Sequence, residues 1–310
     1  MVKVMVLGSI NVDTILQLSR VAVPGETLAV NEKSNAAGGK GANQAVAAAR
    51  AGADTAFIGK VGKDDLGNKM LKTLQKNNID TTHIAEDKKH GTGSATILVY
   101  GDGQNNILVY GGANQEVTLT EVKAAKSQIA ASDFLITQFE TPQEDAVLAF
   151  QIAKENHVTT ILNPAPASEI SPDLLKVTDL IIPNETESAT LTGIEVTDEA
   201  SMDANAAKFR EMGVKNLIIT IGDKGAYYNT ESAGHGFVPA YKVHAVDPTA
   251  AGDTFIGALS SQLKPDLSNV KEALMFAQRA SSLTVQKLGA MPSIPTLAEI
   301  NAAQEKDEEK

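Results

Sequence analysis

Short apolar runs alternate along this chain with longer amphipathic stretches, and that alternation restricts its fold more than any other feature. Val2–Leu7, Thr55–Ile58, Phe134–Thr137, Thr159–Leu162, Leu180–Ile182 and Leu217–Ile221 are rich in β-branched and large apolar residues, as strands are when both faces of a parallel sheet are covered. Helical patterns lie between them at Asn43–Ala51, Leu66–Asn77, Pro142–Asn156, Asp203–Met212 and Thr254–Leu263. Strands alternating with helices predict an α/β protein built on a doubly wound, mostly parallel sheet with helices on both faces.

Two segments break the rhythm. Thr14–Asn35 and Thr92–Tyr110 alternate apolar and polar residues with turn signals and little helical character. The second reads as a hairpin, Ala95–Tyr100 and Asn106–Tyr110 joined through Gly101-Asp102-Gly103-Gln104. These strands are expected either as a small antiparallel sheet standing off the body as a lid, or as an edge extension of the main sheet. No linker or repeat divides the chain, so residues 1–310 are expected as one domain, with a lid subdomain at about 14–37 and 91–110. The charged end Glu305–Lys310 is expected to fray.

Composition narrows the function. The absence of cysteine excludes a disulfide framework, a thiolate zinc site and a cysteine nucleophile. A net charge of −11, from 38 acidic and 27 basic residues, disfavours broad binding to nucleic acid or to an anionic membrane, which depends on neutralising phosphates. The opening MVKVMVLGSI is too short for a signal-peptide core, and no stretch approaches the roughly eighteen apolar residues of a membrane span. A cytoplasmic protein is expected.

Chemistry concentrates in a few loops. Gly38-Gly39-Lys40-Gly41-Ala42-Asn43-Gln44 lets the backbone approach a ligand closely, and Asn43 can hydrogen-bond a hydroxyl. It fits neither a dinucleotide fingerprint, where Gln44 would have to be glycine, nor a Walker A loop, where Ser or Thr would follow Lys40. A tight turn entering a helix is the structural alternative. Asp247-Pro248-Thr249-Ala250-Ala251-Gly252-Asp253-Thr254 runs small residues into a helix, whose unpaired N–H groups would hold an anion. Asp253 could cap that helix or accept a proton, whereas Asp247 has no such local use.

Further along, Asn184-Glu185-Thr186-Glu187 follows a strand. Its carboxylates and amide suit a hydrated magnesium, and the alternative is glutamate serving the helix dipole. Ile219–Gly225 is a strand with a glycine turn, a hairpin signal that in a doubly wound sheet would lie where ligands gather. Gly8–Asp13 leaves the first strand with Asn11 and Asp13 on one face, able to hold vicinal hydroxyls. The histidines at 83, 90, 157, 235 and 244 are scattered and read as surface or loop residues.

Together these pieces resemble the ribokinase, or phosphofructokinase-B, family of carbohydrate kinases. Gly38–Gly67 is similar to its N-terminal signature and Asp247–Gly257 to its C-terminal one. Asn11-Val12-Asp13, Asn163-Pro164-Ala165-Pro166, Asn184-x-x-Glu187 and Gly289-Ala290-Met291-Pro292-Ser293 fall in the family's order. The resemblance implies transfer of a phosphoryl group from ATP to the O5 hydroxyl of D-ribose. It implies Asp253 as base and an anion hole at Ala250, Ala251, Gly252 and Asp253. The sugar would be held by Asn11, Asp13, Gly39, Lys40, Asn43, Glu140 and Asp253, and the nucleotide by Asn184, Thr220, Gly222, Asp223, Gly225, Gly252 and Gln278.

Magnesium would be held in its outer shell by Glu187. A monovalent cation, usually potassium, would lie by Asp247, Thr249, Thr284, Lys287, Gly289 and Ser293. The lid would form the contact of a homodimer. Pro248, Ile256 and Gln278 depart from the family's usual residues. Hydroxyl-seeking Asn11, Asp13, Lys40 and Asn43, in a chain with 4% aromatic residues, favour a small sugar. A kinase for another small sugar or a nucleoside, and a non-catalytic sugar-binding protein, are the alternatives.

Overall fold

The computed structural model describes residues 1–102 and 104–308. Its strands, in chain order, are β1 (Lys3–Leu7), β2 (Asn11–Leu18), β3 (Glu32–Gly38), β4 (Asp54–Gly62), β5 (Ile79–Asp87), β6 (Gly93–Tyr100), β7 (Asn105–Tyr110), β8 (Phe134–Thr137), β9 (Thr159–Leu162), β10 (Leu180–Ile181), β11 (Asn216–Ile221), β12 (Gly225–Thr230) and β13 (Gly234–Pro239). A nine-stranded sheet has the order β13-β12-β11-β10-β9-β8-β1-β4-β5. Strands from β11 through to β5 pair in parallel, and β12 and β13 add antiparallel at one edge.

Strand periodicity divides the core in two. In β1, Val4 and Val6 enter one apolar cluster while Met5 and Leu7 enter the other, because successive side chains point to opposite faces. The first cluster takes Ala42, Ala45 and Val46 from the helix Lys40–Arg50, and Phe255 and Leu259 from the helix Ala251–Gln262. The second takes Ala149, Phe150 and Ala153 from Gln143–Glu155. The chain runs from β1 to β4 on one side and later to β8 on the other, so the strand order reverses beside β1. Open α/β sheets bind ligands at such a reversal, beyond the carboxyl ends of the strands.

The two irregular segments form a second sheet, order β3-β2-β6-β7, so the edge-extension alternative does not hold. The β2–β3 and β6–β7 pairs are antiparallel, while β2 and β6 run parallel from Asn11 opposite Gly93. Both strands leave the body at the same level, a relation between distant segments that local alternation does not encode. The expected hairpin is β6–β7; its Gly103 lies outside the described residues.

Several boundaries move. The helix expected at Asn43 begins at Lys40, because Gly39 at φ 92° turns the chain into it. β5, β12, β13 and the helix Val270–Thr284 are additional; β5 lies at the sheet edge and is mostly polar, which hides it from an apolar pattern. The acidic end does not fray at Glu305: the helix Leu297–Glu308 runs through it, and residues 309–310 lie outside the described range. His83 and His235 sit in strands β5 and β13, where His235 is exposed, as expected of a surface residue, and His83 is half-buried. Among the described residues, no helix is long and apolar enough to cross a membrane.

The helices Lys40–Arg50 and Ala251–Gln262 pack almost backbone to backbone. A Cβ on Gly257 would lie 2.3 Å from the Gln44 carbonyl oxygen and 2.5 Å from Ala47 Cβ. Gly257→Ala is therefore expected to destabilise the protein by about 1–3 kcal/mol. Denaturant unfolding with an unchanged m-value checks this; wild-type stability would contradict the packing.

Candidate active site

Asp253 is the third residue of the helix Ala251–Gln262, and it does not cap it. The N-cap is Ala250, in the left-handed region at φ 61°, a conformation that costs a non-glycine residue about 1 kcal/mol or more. The carboxylate points instead to the neighbouring helix: Asn43 Nδ2 donates to Oδ2 at 3.0 Å and Gln44 Nε2 to Oδ1 at 3.0 Å. Gln44 is fully buried. It also donates to Asn163 Oδ1 at 3.1 Å and accepts from Gln138 Nε2 at 2.6 Å, and Asn163 donates to the Ile182 carbonyl at 3.0 Å. A line of buried amides thus orients the carboxylate. Sequence reasoning missed Gln44, Gln138 and Asn163 as a unit, since their positions adjoin only across the sheet.

Asp253 shares a cavity of about 230 Å³ with Lys40, Asn184, Glu187, Thr220, Pro248 and Gly252. Burial pushes its carboxyl above the ordinary value, against the pull of Lys40, Asn43 and Gln44, with Glu140 adding to the push. Burial alone would lower the Lys40 ammonium, but the carboxylates of Asp253, Glu140 and Glu187 hold it above its usual value. At the helix start the Ala251 amide donates to the Pro248 carbonyl at 3.1 Å. The amides of Gly252 and Asp253 make no hydrogen bond among the described residues, leaving two donors of a helix N-terminus open.

The glycine run and the loop after β1 interlock. A Cβ on Gly38 would lie 2.2 Å from Asp13 Oδ2, and one on Gly39 would lie 2.8 Å from both Asn11 N and Ser9 O. These glycines are more than a tight turn: they make room for the carboxylate and the backbone of 9–13. Glu140 Oε2 accepts from the Ser9 hydroxyl and from Lys40 N at 3.1 Å, tying the loops after β8 and β1 to the helix start. Asp13 is half-buried; burial, then the Glu140 carboxylate, push its carboxyl up to about 6, against a backbone hydrogen bond from Ala95. Asn43 Oδ1 is buried without a donor among the described residues.

Asn184, Thr220, Gly222, Asp223, Gly225, Gly252 and Gln278 all line one cavity of about 540 Å³, which adjoins the smaller one along Asn184, Thr220, Pro248, Ala251 and Gly252. Phe255, Val243 and Val285 supply an apolar wall that no motif announced, and Tyr241, also lining it, stacks on Arg279 with 3.8 Å from the guanidinium carbon to the ring centre. Asn184 and Glu187 form a reciprocal capping box, so the dipole alternative holds in part. Glu187 is nevertheless buried and faces the smaller cavity, its carboxyl raised by burial against the Asn184 N–H and Lys40.

The positions expected around a monovalent cation fall beside this cleft. Asp247 Oδ1 accepts from Thr249 N at 2.9 Å and Oδ2 from Gly289 N at 2.8 Å, joining the two loops. The Lys287 amide donates to the Thr284 carbonyl at 3.0 Å, its Nζ turns away to Glu299, and Ser293 Oγ donates to the Ala290 carbonyl at 2.6 Å. A separate cavity of about 490 Å³ lies at the opposite ends of the strands, lined by Lys154, Asp179, Asn216 and Pro265, remote from these groups.

Gln44→Leu, which keeps the volume and removes both amide ends, frees one carboxylate oxygen of Asp253. Any activity that uses this carboxylate is expected to fall about tenfold or more in steady-state assays, with the thermal unfolding midpoint reporting the structural part separately.

The chain is similar to known proteins over nearly its whole length. A ribokinase of Staphylococcus aureus is 49% identical over 300 residues, covering 96% of this chain and 98% of that protein. A bifunctional ribokinase/ribose-5-phosphate isomerase A of Fructilactobacillus sanfranciscensis is 50% identical over 297 residues, and the match spans 55% of that longer protein. The solved structure of Arabidopsis thaliana ribokinase complexed with ribose and ATP superposes with a TM-score of 0.90 at 28% identity, over 98% of this chain and 99% of that one. The pattern of the pfkB family of carbohydrate kinases matches residues 1–297, and the chain belongs to that family.

Proposed function

We propose that this chain transfers the γ-phosphoryl group of ATP to the O5 hydroxyl of D-ribose, giving ribose 5-phosphate and ADP. The observation that carries this is the position of Asp253. Its carboxylate and the open amides of Gly252 and Asp253 lie where the 540 Å³ cavity meets the smaller one lined by Lys40. The nucleotide fills the larger cavity, with Gln278 near its base. The sugar lies against Asn11, Asp13, Gly39, Lys40, Asn43 and Glu140. Relatives and a structural neighbour named for ribose and ATP support both substrates.

In this reading Asp253 takes the O5 proton as the O5–Pγ bond forms and the bond from Pγ to the β-phosphate oxygen breaks. The loose transition state of phosphoryl transfer needs positioning and charge neutralisation more than a strong base, so a carboxylate suffices. The open amides of Gly252 and Asp253 and the Lys40 ammonium receive the migrating charge, whereas the Ala251 amide, expected in the same anion hole, is taken by the Pro248 carbonyl.

Magnesium fits the donor set beside them. Glu187 Oε2 is occupied by the Asn184 N–H at 2.9 Å, while Oε1 makes no hydrogen bond among the described residues and is left for a metal-bound water. Bound with the nucleotide, magnesium would neutralise the phosphate oxygens. A potassium ion fits the all-oxygen set of Asp247 and the carbonyls of the 284–293 loop, where it would brace the turn leading to Ala250.

Residues 14–37 and 91–110 serve as a lid that shuts water out of the site, in a chain acting as one domain in the cytoplasm, where ATP is supplied. The lid also forms a homodimer contact. β7 is the outer strand of its sheet, and Ile107, Leu108, Val109 and Tyr110 are exposed in succession, an edge that associates unless covered.

Asp253→Asn is expected to lower kcat by about 10²–10⁴-fold while calorimetry finds ribose binding largely kept; full turnover would remove Asp253 as the base. A bound sugar without any turnover in the wild type would favour the non-catalytic alternative. Asp13 accepts a hydroxyl's hydrogen bond more strongly as a carboxylate than as the neutral acid, so the KM for ribose is expected to rise as pH falls through about 6. A flat profile from pH 8 to about 5 would contradict that role. Leu108→Glu places a charge on the exposed edge and is expected to shift the protein to monomer in light scattering; a wild-type mass would exclude this edge as the contact.

A further inference from the structure

The 3-10 turn Gly112–Glu116 follows β7 and joins the small sheet's outer strand to the body. Its Asn114 is 1% exposed and reaches the loop after β1. Asn114 Oδ1 accepts from the Ile10 N–H at 2.9 Å; its Nδ2 donates to the Ile10 carbonyl at 3.3 Å and to Asn11 Oδ1 at 2.7 Å. The polarity of this relay is forced. A backbone N–H can only donate, so the oxygen of Asn114 must face Ile10, its nitrogen must face Asn11, and Asn11 must answer with oxygen. The Nδ2 of Asn11 is left over, with no hydrogen-bond partner among the described residues.

The fold keeps this contact tight. Gly93 pairs with Asn11 at the root of β6, and a Cβ there would lie 2.1 Å from Asn114 Nδ2 and 2.3 Å from Asn11 Oδ1. Asn11 and Asp13, two apart on β2, share a face of the strand. We propose that Asn114 is a positioning residue that sets the hydrogen-bond polarity of Asn11, so that the site offers an N–H donor at Asn11 beside a carboxylate acceptor at Asp13. That pair selects adjacent hydroxyls, one accepting from Asn11 and one donating to Asp13. The inference rests on reading Asn11 and Asp13 as sugar contacts.

Asn114→Asp puts an oxygen opposite Asn11, which must then turn its nitrogen inward and its oxygen toward the sugar. The KM for ribose is expected to rise about tenfold or more, with kcat and the KM for ATP within about threefold of wild type. In an Asn11→Ala background the same change is expected to add nothing to the KM, since the amide it reorients is gone. Asn11→Asp keeps an acceptor for Asn114 and also turns an oxygen to the sugar, so it is expected to raise the KM for ribose alike, even if Asn114→Asp fails to fold. An unchanged KM in either single variant overturns the inference, as does a further rise in the double variant or a uniform fall in kcat with both KM values raised. If the wild type does not phosphorylate ribose, the reading of the substrate falls first; a ribose-active wild type with an indifferent Asn114→Asp sinks only the role of Asn114.

Discussion

The bond pair between Asp253 and the side chains of Asn43 and Gln44 is the constraint on which the rest of the site depends. It joins the helix that opens at Lys40 to the helix that opens at Ala251, residues about two hundred positions apart in the chain. A carboxylate withdrawn from water is costly unless its lone pairs are met by donors and its charge by a cation. Asn43, Gln44 and Lys40 supply these, yet burial still leaves the carboxyl above its ordinary value. The balance can persist only because Gly257 lets the two helices approach to backbone contact.

Around that pair, sheet topology does the gathering. The strand order reverses beside β1, so the loops after β1 and β8 open side by side. One delivers Ser9 and leads into β2 with Asn11 and Asp13, the other delivers Gln138 and Glu140. Glu140 then ties them together through Ser9 and the Lys40 amide. The glycines at 38, 39 and 41 are a consequence of this crowding: Gly41 presses within 2.7 Å of Gly8 Cα by the position its Cβ would take. The same segment therefore reads as a packing device and as the wall of a ligand site, and both descriptions hold.

Legibility from sequence followed how local each signal was. The strands at β1, β8, β9 and β11 were plain because both faces are largely buried and their residues are mostly apolar or β-branched. β5, with alternating exposure at the sheet edge, carried no such run. Of the residues expected at the nucleotide, Asn184, Thr220, Gly222, Asp223, Gly225 and Gly252 were legible in loop motifs, whereas Gln278, within the helix Val270–Thr284, came only through the family resemblance; all of them line one cavity. Gln44, Gln138, Asn163 and Asn114 were not, because a buried amide has no periodicity and its meaning lies in partners near 100 residues away, as between Gln138 and Gln44 or Asn114 and Asn11.

By itself the sequence determined the doubly wound body, the two segments that break its rhythm, the order of the signature loops and the exclusion of thiol chemistry, since each follows from residue type and spacing along the chain; that those two segments form a sheet of their own was decided by the tertiary structure. Tertiary structure alone decided that Asp253 faces a second helix instead of capping its own, that β2 and β6 run parallel, and which end of each buried amide meets its neighbour. Those outcomes are set by which segments share space, and hydrogen-bond direction is fixed only when a donor and an acceptor from distant parts of the chain are forced to pair.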